Sequence, residues 1–221
     1  MALNRIHLRK LLKILFSEPN ARRSALRSDI REEIAREAGQ DEGGGDFYAP
    51  FWADAKSHVF GTADLHTMVD DRVGANGRRA NLYPQLRAGF LTWWNERRRW
   101  TNEPFRLGRS LKAHFPFPGL DATVKVDNVL TVRDGLDVEH VVYPYFAPEP
   151  VLSESAARLG LWLLSRALPT VPVEEIRILD VIRGRTFSVD RHSLLGSEEH
   201  EFHQRYAAAL DERAILRREY P

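Results

Sequence analysis

After Trp100 the spacing of apolar residues changes from helical to alternating, and that switch divides the chain. Ahead of it, Leu8, Leu11, Leu12 and Leu15 recur at i, i+3, i+4 and i+7, which predicts a first helix over Asn4–Phe16. Pro19 ends that helix, and Asn20 is placed to cap a second, strongly charged one over Ala21–Ala38. Phe47–Phe60, rich in aromatics, and Thr62–Val73 read as two more. A long helix, Leu82–Trp100, carries Pro84 in its first turn and sets Leu82, Leu86, Phe90, Trp93 and Trp94 largely on one side. Behind the switch, Ser110–Phe117, Thr123–Val132 and Val138–Phe146 read as strands. An amphipathic helix over Ser153–Leu168, a fourth strand over Ile176–Val189 and a terminal helix over Ser197–Arg218 complete the order.

These elements predict an α+β fold: a helical N-terminal lobe over residues 1–76, then a mixed four-stranded sheet flanked by helices over residues 77–221. Gly43-Gly44-Gly45, within Gln40–Asp46, reads as a flexible linker. A phosphate-cradling loop would need a preceding strand and the G-x-x-x-x-G-K-[ST] spacing, and neither is present. Phe115-Pro116-Phe117-Pro118-Gly119 closes the first strand with a turn. Asp134-Gly135 signals a hairpin that makes the second and third strands antiparallel neighbours.

Composition narrows the function classes. The chain has 221 residues, of which 43% are hydrophobic, enough for a substantial core. Cysteine is absent, which removes disulfides, thiol chemistry and cysteine-held metal centres. No apolar run is long enough to span a bilayer, and the first residues lack the cleavage region of a signal peptide, so cytoplasmic residence is expected. The net charge of +1 argues against a protein that coats nucleic acid but leaves room for a local basic groove. Lysine occurs only at Lys10, Lys13, Lys56, Lys112 and Lys125, an arginine bias that fits a GC-rich bacterial genome. If nucleic acid is a partner, Arg97-Arg98-Arg99 with Arg5, Arg9, Lys10 and Lys13 are its expected footprint. The alternative for the first helix is an ordinary solvated face.

One stretch carries chemistry. Lys125-Val126-Asp127 puts a lysine and an acid on one strand face, because side chains two apart point the same way. Val124-Lys125-Val126-Asp127-Asn128-Val129, followed by Asp134-Gly135, resembles the G-x-x-D…dG hairpin of RecB-like members of the PD-(D/E)xK nuclease superfamily. The order helix, three strands, helix, strand from Leu82 to Val189 resembles the α-β-β-β-α-β core of that superfamily. The resemblance implies Mg²⁺ held by carboxylates on adjacent strands, with a lysine that polarises the attacking water. Asp127 matches the first acid. In Val142-Tyr143-Pro144-Tyr145, however, Tyr143 stands at the second acid and Tyr145 at the lysine.

The resemblance therefore implies a nuclease-like domain without the usual catalytic set, needing no cofactor. It would serve as a binding or assembly subunit for a protein partner, nucleic acid or both, in a bacterial defence or mobile-element system. Two alternatives stay open. One is an active Mg²⁺-dependent nuclease whose site has moved to Asp127 with Glu139 or His140, and Lys125 as the migrated lysine. A two-residue hairpin at Asp134-Gly135 sets Asp127 opposite Val142 on the face of His140, whereas a one-residue bulge brings Glu139 or Tyr143 there. The other is an unrelated α+β interaction or immunity protein. Arg158 and Trp162, four apart, are spaced to stack. His200 and His203 beside Glu199, and His66 with Asp70, have helical metal-site spacing but read more simply as solvated faces.

Overall fold

Val141, Tyr143 and Tyr145 face one buried core and Val142 and Phe146 face another, so a single stretch of chain separates two hydrophobic layers. The protein is described here from a computed structural model covering residues 3–39, 46–98 and 104–220, with the side chains of Arg97 and Arg98 outside the description. In chain order its elements are β1 (Arg5–His7), α1 (Leu8–Phe16), α2 (Pro19–Glu37), α3 (Ala49–Val59), α4 (Leu65–Ala75), α5 (Tyr83–Arg98), β2 (Arg106–Leu107), β3 (Ala113–Pro116), β4 (Thr123–Val126), β5 (Leu130–Arg133), β6 (Glu139–Tyr145), α6 (Glu154–Ala167), β7 (Ile176–Asp180), β8 (Arg185–Phe187) and α7 (Glu198–Arg217).

The chain is an α+β fold with helices flanking a mixed sheet, as its pattern predicts. The strands number differently from expectation. A five-stranded sheet runs β2-β5-β6-β7-β8, and a separate three-stranded sheet runs β1-β4-β3. Only the β6–β7 pair of the larger sheet is parallel, and α6 provides its crossover. On one face of the larger sheet, α1, α2, α6, α7 and the inner face of the smaller sheet close the first core. On the other, α3, α4 and α5 close the second. The residues expected to form one helical lobe thus serve both cores. The glycine stretch read as their linker lies, apart from Asp46, outside the described residues.

Local chemistry explains the main departures. The first helix begins at Leu8, not Asn4, because Arg5–His7 is extended and pairs in parallel with β4, His7 lying opposite Lys125. The expected strand Thr123–Val132 breaks at Asn128, whose φ of 56° is left-handed, and its halves enter different sheets. The strand expected over Ile176–Val189 folds back as the β7–β8 hairpin.

Helix α6 shows how packing holds the layers. It buries Leu159, Leu161, Trp162, Leu163 and Leu164, each worth ~1.5–3 kcal/mol when fully buried. A Cβ at Gly160 would lie 2.5 Å from Ile178 Cδ1 and 3.1 Å from Leu12 Cδ1, so glycine spares both side chains a shift where α6 meets β7. Trp162 packs on Phe115, Phe117 and Phe202. No helix among the described residues is long and apolar enough to cross a membrane.

Candidate functional site

The three-stranded sheet has one apolar and one polar face, set by strict alternation. Ile6, Val124 and Val126 are buried in the first core, with Ala113 and Phe115 packed against it. The intervening residues share the opposite face, where His7, Lys125 and His114 lie side by side in register across β1, β4 and β3. Arg5, Lys112 and His114 are exposed and Lys125 is half-buried, so this face is open to solvent.

Asp127 follows β4 on the same side as Lys125. Its Oδ1 is 2.8 Å from His7 Nδ1 and 3.4 Å from Arg9 Nη1. Burial pushes the Asp127 carboxyl up, but the hydrogen bond to His7 and the charges of His7 and Arg9 outweigh it and hold the carboxyl below its ordinary value. The Arg9 guanidinium also pairs with Asp46, so it occupies the space between two carboxylates that a cation would otherwise take. Burial opposes its charge, yet Tyr143, Asp46 and Asp127 together hold Arg9 above its ordinary pKa.

Two further elements close the site. The Arg9 N–H, in the first turn of α1, donates to the Tyr143 hydroxyl at 3.0 Å. Burial pushes that phenol up to about 12, so it stays neutral. From α3, Trp52 Nε1 donates to the Asn128 carbonyl, and Lys56 Nζ stands 6.0 Å from the Trp52 ring. Desolvation pushes Lys56 down to about 8; Lys112 adds to this and Asp127 opposes it. Lys56 therefore lies within electrostatic reach of both Asp127 and Lys112.

The migrated metal site is not assembled. The β5–β6 turn spans residues 134–138, with the Asp134 carboxylate accepting from the N–H groups of Leu136 and Val138. Leu130, not Asp127, is consequently opposite Val142. Glu139 instead accepts from Arg109 Nη2 at 2.6 Å and Nε at 2.8 Å. His140 lies between Asp134, 3.0 Å from its Nε2, and Glu175, 2.5 Å from its Nδ1. Among the described residues, no group of three histidines and acids is arranged to hold a metal ion. The donor set does not fit Mg²⁺, which takes near-octahedral oxygen ligands; Asp127 offers one carboxylate already engaged by His7 and Arg9. Tyr145, at the expected lysine position, donates to the Pro150 carbonyl at 2.7 Å.

The expected basic footprint is divided. Arg5 belongs to the open face, Arg9 is spent on its two carboxylates, and Lys10 pairs with Asp29 and Glu32. Lys13 is exposed on α1. Arg97 and Arg98 close α5, but their side chains, and Arg99 altogether, lie outside the described residues. Asp70 pairs with Arg87 at 2.7 Å, and His203 lies against Phe117. The pattern missed His7, Lys56, Lys112 and His114. A signal existed for two of them, since Lys112-Ala113-His114-Phe115 alternates polar and apolar within the expected first strand.

No family model matches the chain, and neither does any curated protein or solved structure.

Proposed function

We propose that this chain is a binding or assembly unit that takes nucleic acid across the outer face of β1-β4-β3 and does not act through a metal–carboxylate centre. The observation that carries this reading is the convergence of Arg5, Lys112, Lys125 and His114 on one open face beside Asp127, whose carboxylate is already hydrogen-bonded to His7 and paired with Arg9. A basic face whose Arg5, Lys112 and Lys125 make no ion pair among the described residues attracts phosphate, and a pre-paired acid does not repel it. The reading needs no nuclease ancestry, although that ancestry and a place in a bacterial defence or mobile-element system are compatible with it.

The test is fluorescence anisotropy with labelled single- and double-stranded DNA and RNA between 50 and 200 mM salt. Affinity should fall with salt, by a slope of ~0.7–0.9 per phosphate contacted. The triple variant Arg5→Ala, Lys112→Ala, Lys125→Ala should weaken binding and flatten that slope by ~2–3. Lys10→Ala with Lys13→Ala, off this face, should change both little. Binding that ignores the triple variant, or no binding at 50 mM salt, would leave a protein partner as the better reading. Cleavage that requires Mg²⁺ or Mn²⁺ and is lost in Asp127→Ala would promote the nuclease alternative instead.

A further inference from the structure

The polar row on the small sheet has a chemical order beyond its charge. His7 and His114 flank Lys125 on opposite sides, one on each neighbouring strand. Their backbones are two strand spacings apart, roughly 10 Å. His7 Nδ1 is committed to Asp127 at 2.8 Å, while Nε2 has no partner among the described residues, on a side chain 17% exposed. His114 is exposed and makes no hydrogen bond or ion pair among the described residues. A carboxylate that fixes one imidazole nitrogen and leaves the other free is the arrangement by which a histidine is oriented as a general base.

We infer that His7, Lys125 and His114, with Asp127 positioning His7, form a metal-independent centre that cleaves ribonucleotide strands by internal transphosphorylation. The inference rests on the phosphodiester reading of this same face and adds a reaction to it. By register, a phosphate seated over Lys125 lies between the two strands that carry the imidazoles, and in-line displacement at phosphorus needs a base and an acid on opposite sides. His7 Nε2 takes the proton of the ribose 2′-hydroxyl, and that oxygen's electron pair forms the O2′–P bond. The P–O5′ bond breaks, its electron pair leaves on O5′, and the His114 imidazolium supplies the proton that completes the 5′-hydroxyl. The products are a 2′,3′-cyclic phosphate and a free 5′-hydroxyl end, with no oxidant, reductant or metal consumed. Lys125 stabilises the charge that accumulates on the non-bridging oxygens. Asp127 is a positioning residue: it fixes the ring and stabilises the imidazolium as it forms. The nucleophile is the substrate's own hydroxyl, so the neutral Tyr143 and Tyr145 are no obstacle, and a deoxyribose strand is bound but not cut.

The experiment uses the full chain in excess EDTA with two labelled oligonucleotides of one sequence, all-deoxy or with a single internal ribonucleotide. The expected result is scission only at the ribonucleotide, with a 2′,3′-cyclic phosphate identified by mass spectrometry. His114→Gln, at an exposed position where folding is not at stake, should slow cleavage by about a hundredfold or more when measured at saturating protein, so that weaker binding does not enter the rate. His7→Gln should do the same, checked against its thermal melt. Asp127→Asn should move the limb of the pH–rate profile that belongs to the base, which a purely structural loss would not do. An intact ribonucleotide strand alongside normal binding of the all-deoxy strand overturns the inference and leaves the binding reading standing. Absence of binding and cleavage overturns both. Cleavage unchanged in identically purified His114→Gln is a contaminating ribonuclease and also overturns the inference.

Discussion

Asp127 and His7 lie 120 positions apart in the chain, and their side chains meet at 2.8 Å between Oδ1 and Nδ1. The contact joins the end of β4 to the start of α1, because β1 runs parallel to β4 and delivers His7 beside the acid. It also separates two roles a carboxylate can play. An acid held by histidine and arginine is a matched charge that orients its partners, whereas an acid facing solvent is a vacant metal ligand.

That pairing has a pH signature. The folded carboxyl of Asp127 lies below its ordinary value, so its contribution to stability is fully present above the unfolded pKa and is lost as pH falls through the folded one. Asp127→Asn should cost about 1–2 kcal/mol at pH 7, the scale of a charge-assisted hydrogen bond at a part-buried site. Urea unfolding of both proteins at pH 7 and about pH 3 should show the gap closing in acid, below the ordinary carboxylate range near ~4. A gap that stays constant would mean the charge on Asp127 contributes nothing.

Tyr143 sits where the resemblance expects an acid, and its hydroxyl has a structural use. His7, at the N-cap of α1, makes no side-chain capping bond, and the Arg9 N–H is satisfied by Tyr143. Tyr143→Phe should therefore destabilise by ~1–3 kcal/mol, the cost of an orphaned buried donor. Hydrogen exchange at the Arg9 amide should accelerate more than at Leu12. Unchanged exchange at Arg9 would count against the capping role.

How far the pattern carried depends on how local each determinant is. Helices α6 and α7 were legible because their determinants act within a few residues: Ser153 accepts from the Ala156 N–H at the start of α6, and Glu198, Glu199 and Glu201 fill the first turn of α7, where Ser197 makes no side-chain cap bond. The β5–β6 hairpin was legible from Asp134-Gly135, but its five-residue length was not, since it follows from how the Asp134 side chain folds back on the turn. Strand β1 was hidden because its three residues precede a strong helical stripe, and pairing with β4 is a long-range event that periodicity does not encode. Of the site, Lys125 and Asp127 were visible as neighbours on a strand. His7, His114 and Lys56 come from three other elements and were not.

Lys56 should announce itself chemically. Desolvation lowers its pKa to about 8, so near that pH roughly half of its amine is uncharged and nucleophilic. A small acylating reagent used at limiting ratio at pH 8 should label Lys56 ahead of Lys10, Lys13, Lys112 and Lys125, read by peptide mass spectrometry. Occupying the face with a nucleic-acid strand should slow that labelling. Random labelling among the five lysines would show that Lys56 is hydrated like the rest.

A second ion pair has no connection with the site and tests the α3–α4 packing alone. Asp54 is 4% exposed, and Arg72 reaches it with two bonds, Nε at 3.0 Å and Nη2 at 3.1 Å. Arg72→Met strands a buried carboxylate and should cost ~2–3 kcal/mol, below the range for a fully buried pair because Arg72 itself is 36% exposed. Arg72→Lys should recover little, since an ammonium does not reproduce the two-pronged geometry. Adding Asp54→Ala to Arg72→Met should restore part of the loss. Equal stability of Arg72→Lys and wild type would show that charge alone, not the fork, matters here.

Glycine permits a close backbone approach between α5 and the segment after β7, and it sets a sharper test of the second core. A Cβ at Gly89 on α5 would fall 2.2 Å from the carbonyl oxygens of both Val181 and Ile182, and a Cβ at Gly184 would fall 2.7 Å from the Gly89 oxygen. Those neighbours are backbone, so no rotamer change relieves the clash; α5 must lift from the segment that follows β7. Gly89→Ala should then cost ~3 kcal/mol or more, despite alanine's better helix propensity. For a chain of this size that lowers Tm by about 6 °C or more. Gly74→Ala on α4 is the control, because nothing lies within 4 Å of its added Cβ. There propensity acts unopposed, and the variant should gain ~0.5–1 kcal/mol. A Gly89→Ala protein that melts with the wild type would mean α5 does not rest on the β7–β8 turn as closely as these contacts require, and the second core would have to be redrawn.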